Sequence, residues 1–282
     1  MKKEKTITVR RQKIQPDRTK KRLCFFLFLT ALLLLTVVFA EQICPYDPNA
    51  QDTGAALLPP GAGHLAGTDR FGRDMLSRIL VGLKTSVTST LILVVAVTVT
   101  GSILGLICGY FGGIADTVIM RISDICLAFP GLVFAMAIAA LLNGGISNAV
   151  LALALISWPK YARIARSQTL TVKNTNYMAA SQLAGCTAAQ MIWRHILPNI
   201  AGPILVTSML DIGTMMMELA GLSFLGLGAQ PPTAELGNMM SGGRSMLQTA
   251  PWVILAPGLA IFLIVLVCNL LGEAVRKTVD QG

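Results

Sequence analysis

Two acidic residues, Asp211 and Glu218, interrupt an otherwise apolar stretch at residues 200–222. They are seven residues apart, about two helical turns, so they share one helix face with Thr207 and Met215. Carboxylates inside a bilayer are costly and usually line a bundle interior or a water-filled path. The spacing therefore predicts a translocation path that includes Asp211, Met215 and Glu218. The alternative is structural, with Asp211 bonded to a neighbouring helix and Glu218 in contact with headgroups or loops.

The sequence lacks the motifs that would let this chain hydrolyse ATP or a peptide bond. The stretch GLKTS at residues 82–86 is the nearest approach to a phosphate-binding loop, but it has no glycine directly before Lys84. Both histidines, His64 and His195, lie outside the apolar stretches, and no HExxH motif is present. We expect no enzymatic activity, no cofactor and no firm metal site in this chain.

The composition is that of an integral membrane protein. Hydrophobic residues make up 54% and charged residues 13% of the chain, and the mean hydropathy is +0.65, outside the range of soluble domains. The net charge is +9, and ten basic residues precede Leu23 against only Glu4 and Asp17. That arrangement is typical of a cytoplasmic tail beside a membrane. We therefore expect a basic tail at residues 1–22, a membrane domain at residues 23–282 and no nucleic-acid partner.

Stretches of about 20 mostly apolar residues predict membrane-spanning helices. Six such stretches occur, at residues 23–40, 86–110, 125–142, 146–162, 200–222 and 252–271. Pro159 and Lys160 interrupt the fourth, so a short or tilted helix is expected there. The interval after it carries basic residues and no acidic one: Lys160, Arg163, Arg166, Lys173 and Arg194. The positive-inside rule then predicts an all-α, multi-pass protein of the cytoplasmic membrane, with the loop at about residues 163–199 and both termini in the cytoplasm.

The cytoplasmic loop has the local signals of two short helices. Thr187 and Gln190 have capping-box spacing, and Pro198 is expected to end the helix that they begin. Residues 176–184 predict a helix of small residues, closed by Gly185 in a left-handed conformation. The other helix carries an apolar stripe with one charge at its rim: Met191, Ile192, Ile196 and Arg194. These features suit docking into a partner's groove, although composition alone is equally compatible with an interfacial helix or a linker.

The run YMAASQLAG followed by RHILPN resembles the cytoplasmic loop of permease subunits of ABC importers, whose pattern is roughly Glu-Ala-Ala, then Gly, then Ile-Leu-Pro. In that family this loop docks into a groove on the ATP-hydrolysing subunit. The resemblance assigns ATPase coupling to a set of loop residues: Tyr177, Ala180, Gly185, Arg194, His195, Leu197 and Pro198. The chain departs from the pattern at Ala179, which occupies the place of the Glu, so the polar contact of that Glu is missing.

Longer segments resemble the C-type permeases of the peptide and nickel import group. LAGTDRFGRDMLSRILVGLKTS at residues 65–86 resembles the stretch after their first span. LSFLGLGAQPPTAELGNM and the final APGLAIFLIVLVCNLLGEAVRKTVD resemble their last third. The likeness runs from about Leu23 onward. It implies a type I ABC importer permease fold, embedded in membrane lipid and partnered by a second permease subunit as a heterodimer, two ATPase subunits and an extracytoplasmic substrate-binding protein.

The string LDIGTMMMELAG, from Leu210, is more similar to nickel-type permeases than to the oligopeptide type. The resemblance therefore predicts nickel, free or chelated, as the substrate, with di- or oligopeptides as the alternative. A membrane-anchored scaffold or sensor that uses the basic tail is the alternative from a different class. The loops at residues 67–74 and 226–237 are expected outside, where they would either seat the binding protein or brace the ends of the spans.

Overall fold

The computed structural model describes residues 16–279, which form helices connected by loops. The α-helices in this part of the chain are α1 Pro16–Val38, α2 Ala40–Ile43, α3 Met75–Phe111, α4 Gly113–Ala128, α5 Gly131–Leu141, α6 Ile146–Lys173, α7 Asn176–Leu183, α8 Ala188–Gln190, α9 Leu197–Phe224, α10 Leu236–Gly243 and α11 Trp252–Val279. The predicted all-α class is confirmed. Of the predicted basic tail, residues 1–15 lie outside the described residues, and the rest already belongs to α1.

Within the described residues, four helices are long and apolar enough to cross a membrane. They are α1 from Lys20, α3, the continuous helix Ala188–Phe224 and α11. A fifth candidate is the pair α4 and α5, which bend by 94° at their junction. The bend has a local cause, because Phe129 precedes Pro130 and a residue before proline is disfavoured in the helical region. The third predicted stretch, residues 125–142, is therefore a broken element.

The fourth predicted stretch, residues 146–162, lies inside α6. This helix is 28 residues long, but it is not among those apolar enough to span by composition. Its second half carries the basic residues from Lys160 to Lys173, so most of these residues are helical rather than in the predicted loop. The predicted count of six spans is thus not confirmed, since four or five helices qualify.

Close packing of α3 on α6 forms the centre of the bundle. Gly101, Gly105 and Gly109 recur every four residues on α3, and a Cβ at any of them would press on α6. At Gly105, for example, it would overlap the backbone oxygen of Ala162. Small residues at this spacing let two membrane helices approach backbone to backbone. The larger hydrophobic core, which includes Leu93, Leu153 and Leu219, surrounds this contact.

The bundle has two ends that differ in construction. At one end, the start of α3 meets α10 through Ser86 and Glu235, and the start of α6 meets the loop after α9 through Gly145 and Gly228. We call it the α10 end. At the other end, the α6 terminus contacts the α3 terminus through Lys173 and the carbonyl oxygen of Tyr110, and α7 and α8 follow. We call it the α7 end.

Candidate coupling surface and intramembrane carboxylates

The loop between α6 and α9 folds as the local signals predict. Residues Asn176–Leu183 form α7, and Gly185 follows with a φ of +84°. Thr187 and Gln190 form the predicted capping box, in which the Thr187 N–H donates to Gln190 Oε1 at 2.9 Å and the Gln190 N–H donates to Thr187 Oγ1 at 3.3 Å. Two short helices therefore meet at Gly185. The positive φ at this position is strained for most residues other than glycine.

The expectation that Pro198 ends the second helix is wrong. The helix is continuous from Ala188 to Phe224, because a π-helical segment, Met191–Ile196, precedes the proline. In that segment the Leu197 N–H donates to the Ile192 oxygen, and Pro198 then occupies the first turn of α9, where its missing N–H costs little. The Asn199 side chain donates to the His195 oxygen at 2.6 Å.

The predicted apolar docking stripe points inward. Met191 and Ile196 are buried in the larger core, and Ile192 packs against it. The reason is the continuity of the helix, whose inner face runs on through Ile200 and Ile204 into the bundle. An outward-facing stripe at residues 191–196 is therefore a wrong prediction.

Other apolar side chains of the loop are exposed instead. Leu183 is 91% exposed at the end of α7, and Trp193 is 70% exposed in the π-helical segment. Sequence reasoning missed both, although an unpaired tryptophan beside basic residues is typical of interface anchors. Tyr177 lies with them, its hydroxyl accepting from Asn199 at 3.3 Å and its ring 6.1 Å from that of His195.

The residues assigned to coupling fall into two groups. Tyr177, Ala180, Gly185, Arg194 and Pro198 are exposed on the α7 end, whereas His195 and Leu197 are half-buried against the bundle. Together with Leu183 and Trp193, the exposed group forms what we call the coupling surface. A surface of this kind, with large apolar side chains beside an arginine, has the composition of a protein interface.

Asp211 lies in the middle of α9 and is buried and paired. Its carboxylate accepts from Lys160 Nζ at 2.6 and 2.7 Å and from the Tyr161 hydroxyl at 3.0 Å. Both partners belong to α6, so this cluster ties the two helices together. Lys160 is half exposed, and its ammonium group neutralises the buried carboxylate. The sequence pattern groups Lys160 with the basic residues of the cytoplasmic loop.

Glu218 differs from Asp211 although both share one face of α9. It is half-buried, and among the described residues it has no hydrogen-bond or ion-pair partner. Met215 lies between the two carboxylates but is buried in the larger core. Met216 is also buried, and Met217 is exposed, so the three methionines point in different directions.

Buried polar groups close the α10 end. The Glu235 carboxylate is fully buried and accepts from the Ser86 hydroxyl at 2.8 Å and from the backbone N–H groups of Gly237 and Asn238. It thereby caps α10 and fastens it to α3. Asp74 caps α3 in the same way, accepting from Ser77 and lying 2.9 Å from His64 Nδ1. Each acidic residue directly precedes its helix in the sequence, a capping signal that could have identified both.

Comparison with known families decides the identity of the fold. Residues 101–282 match the family model described as "Binding-protein-dependent transport system inner membrane component". The chain belongs to this family. Its members are membrane permease components of ABC transporters, in which separate subunits hydrolyse ATP and a binding protein delivers the substrate.

Curated relatives extend the match to most of the permease. It is 40% identical over 260 residues to the dipeptide transport system permease protein DppC of Haemophilus influenzae, covering 90% of this chain and 88% of the relative. It is 42% identical over 252 residues to the probable D,D-dipeptide transport system permease protein DdpC of Escherichia coli, with 89% and 85% covered. It is 41% identical over 254 residues to the glutathione transport system permease protein GsiD of Pectobacterium atrosepticum, with 89% and 84% covered.

A solved structure supports the fold assignment of the permease. An inward-facing structure of the MetNI methionine ABC transporter superposes with a TM-score of 0.58 at 18% identity, covering 72% of this chain and 97% of that one. The predicted type I ABC importer permease fold is confirmed. The nickel interpretation is not supported, because these relatives are named for dipeptide and glutathione transport.

Proposed function

We propose that this permease is the membrane subunit of an importer for short peptides of about the size of a dipeptide or glutathione. The supporting observation is identity of 40–42% over about nine tenths of the chain to permeases named for dipeptide, D,D-dipeptide and glutathione transport. Di- or oligopeptides are the alternative substrate that the sequence predicts beside nickel. Membership in a transporter family also favours transport over a scaffold or sensor.

The working assembly would contain a second permease subunit, two ATPase subunits and an extracytoplasmic substrate-binding protein. We place the α7 end in the cytoplasm, because Lys173 and Arg194 lie there and the loop from 174 to 199 carries no acidic residue. The α10 end then faces outside. Both termini would be cytoplasmic, as the basic residues before α1 favour.

ATP-driven closure of the ATPase subunits would act on the coupling surface. The helix from Ala188 to Phe224 has 37 residues and a length of about 55 Å at 1.5 Å per residue. Displacement of α8 would therefore reach Asp211, Glu218 and the α10 end through one helix. Gly185 would serve as the joint, since nothing lies within 4 Å of the position where its Cβ would stand.

The two carboxylates of α9 would have different roles in peptide passage. Asp211 is neutralised by Lys160 and holds α6 to α9, so it would set the position of the path rather than contact the peptide. Glu218 is half-buried without a partner among the described residues, and it would attract the ammonium group of a peptide as the path opens. Met215 would contribute packing only.

Uptake measurements test the proposal. Cells that lack this chain would be supplied with a labelled dipeptide, labelled glutathione or radioactive nickel, with and without the restored chain. We expect uptake of at least one peptide to be lost and restored, and nickel uptake to be unchanged. Restoration of nickel uptake alone would overturn the peptide assignment.

A further inference from the structure

A cavity at the α10 end contains more positive than negative charge. Its volume is about 280 Å³, and it lies between the loop before α3 and the segment around α10. Its charged lining residues are Asp69, Arg70, Arg73 and Arg78. Three guanidinium groups against one carboxylate leave an excess of two positive charges.

The single carboxylate in this cavity is already used by the loop itself. Asp69 Oδ1 accepts from the backbone N–H groups of Phe71 at 2.7 Å and of Arg73 at 3.0 Å. Asp69 Oδ2 lies 3.8 Å from Arg78 Nε. Arg78 also donates to the Pro48 oxygen at 3.0 Å and to the Pro232 oxygen at 3.5 Å. Arg78 therefore has a structural role, because it connects the segment between α2 and α3 to the segment between α9 and α10.

Arg73 is different, because among the described residues no carboxylate or carbonyl oxygen pairs with its guanidinium group. The residue is only 6% exposed, and its Nε has no hydrogen-bond partner. Its guanidinium carbon lies 4.6 Å from the centre of the Phe71 ring, and that of the exposed Arg70 lies 4.6 Å from the same ring. A buried guanidinium normally has a paired anion, and a cation–π contact replaces only part of that interaction.

The loop holds Arg73 in a fixed position. Gly72 has a φ of +72°, and a Cβ there would overlap the backbone of Asp52. The unpaired guanidinium is thus presented by a rigid backbone, as in a preformed binding site.

We propose that this cavity is a carboxylate-binding site that receives an acidic side chain of the substrate-binding protein. The choice of occupant rests on charge and on the rim of the cavity. Phe71 lines the cavity and is partly exposed, and Leu65, 72% exposed, lies on the same loop, so this face presents apolar side chains as well as arginines. An arginine in an apolar rim matches the composition of protein–protein anchor sites. The inference rests on the proposed function in one respect, namely that the α10 end faces outside.

The test uses the complete transporter in lipid nanodiscs, with its own peptide-loaded binding protein. The readout is the concentration of binding protein that half-stimulates ATP hydrolysis. Arg73→Gln and Arg70→Gln are compared with Arg244→Gln, which removes an exposed arginine at the same end but outside the cavity. We expect Arg73→Gln to raise the half-stimulating concentration about tenfold or more, Arg70→Gln to raise it less, and Arg244→Gln to change it less than about twofold.

Further arms identify the source of the carboxylate. Acidic residues on the surface of the binding protein are replaced one at a time by their amides. The one that binds Arg73 should raise the half-stimulating concentration as Arg73→Gln does, and combining it with Arg73→Gln should raise that concentration no further. Basal ATP hydrolysis and the melting temperature of each variant show that the permease is folded, and Arg73→Lys provides a second, charge-retaining variant that should bind better than Arg73→Gln. Equal behaviour of Arg73→Gln and Arg244→Gln would overturn the proposal.

Two outcomes separate this inference from the proposed function. If Arg73→Gln changes the response to free dipeptide without binding protein, and not the response to binding protein, the cavity serves the substrate and the inference is wrong. If the wild-type transporter binds its partner through Arg73 but imports no peptide, the inference stands and the peptide assignment falls.

Discussion

The two ends of the permease differ in how they treat polar and apolar groups. The α10 end buries charged residues and satisfies most of them internally, as Glu235 and Asp74 show. At the α7 end, the apolar side chains of Leu183 and Trp193 are largely exposed. The first end satisfies its buried polar groups within this chain, apart from Arg73, whereas the second has exposed apolar side chains that, under the proposed function, contact an ATPase subunit. We infer that stability depends mainly on the α10 end and coupling mainly on the α7 end.

The largest effect is expected at Glu235. Glu235→Ala would leave the Ser86 hydroxyl and two backbone N–H groups without their acceptor, at a cost of about 3 kcal/mol or more in the free energy of unfolding. Thermal unfolding of the purified permease in detergent measures it. Glu235→Gln retains one oxygen acceptor and should lie between the alanine variant and wild type. An unchanged melting temperature for Glu235→Ala would contradict the inference that the stability of the permease depends mainly on the α10 end.

The next largest effect concerns coupling at Gly185. Proline requires a φ near −65°, and Gly185 has +84° and donates its N–H to the Gln182 oxygen. Gly185→Pro should lower peptide uptake by about tenfold or more, because the joint that orients α7 and α8 is distorted. The amount of protein in the membrane should stay unchanged. Gly185→Asn, which tolerates positive φ, is the matched control and should retain most uptake; equal loss in both variants would argue against a conformational role.

A third prediction addresses the exposed apolar residues of the coupling surface. Trp193→Ala should weaken binding of the ATPase subunits by about tenfold, as expected for an anchor residue, and leave the melting temperature of the permease unchanged. Ile114→Ala removes a comparably exposed side chain outside the coupling surface and serves as the control. Co-purification of the ATPase subunits at graded concentrations provides the readout. Normal binding by Trp193→Ala would remove Trp193 from the interface.

The smallest effects are expected within α9, where the two carboxylates can be separated. Asp211→Asn breaks the pair with Lys160 and should destabilise the permease by about 1–2 kcal/mol, a modest value because Lys160 is half exposed. Glu218→Gln has no partner to lose among the described residues and should change stability by less than about 0.5 kcal/mol while lowering peptide uptake. If Glu218→Gln were destabilised and its peptide uptake normal, the structural role would belong to Glu218 rather than to Asp211. Both variants should still bind the ATPase subunits.

Local signals in the sequence predicted the turn between α7 and α8, but not the continuity of the helix through Pro198 or the contacts between helices. The capping box at Thr187 and the left-handed Gly185 depend on a few neighbouring residues, and both are present in the structure. The prediction that Pro198 ends the helix was wrong because the residue pattern does not reveal the π-helical segment that precedes this proline. The pairing of Lys160 with Asp211 joins residues 51 apart and depends on how α6 packs on α9.

Asp124 gives a second example of this limit. Its carboxylate accepts from Arg163 Nη2 of α6 at 2.6 Å, although 39 residues separate the two in the sequence. Charge counting locates basic residues along the chain, but it cannot choose among partners that tertiary packing brings together. The close contact between the glycines of α3 and α6 likewise depends on tertiary packing.

The most direct test of the contrast between the two ends is site-specific photocrosslinking in membranes that contain the complete transporter. A photoreactive residue is placed at Leu183, in the coupling surface, and in a separate variant at Leu65, at the α10 end; both side chains are exposed. The account predicts that position 183 crosslinks to an ATPase subunit and position 65 to the substrate-binding protein. A crosslink from position 65 to an ATPase subunit, or none from position 183, would contradict it.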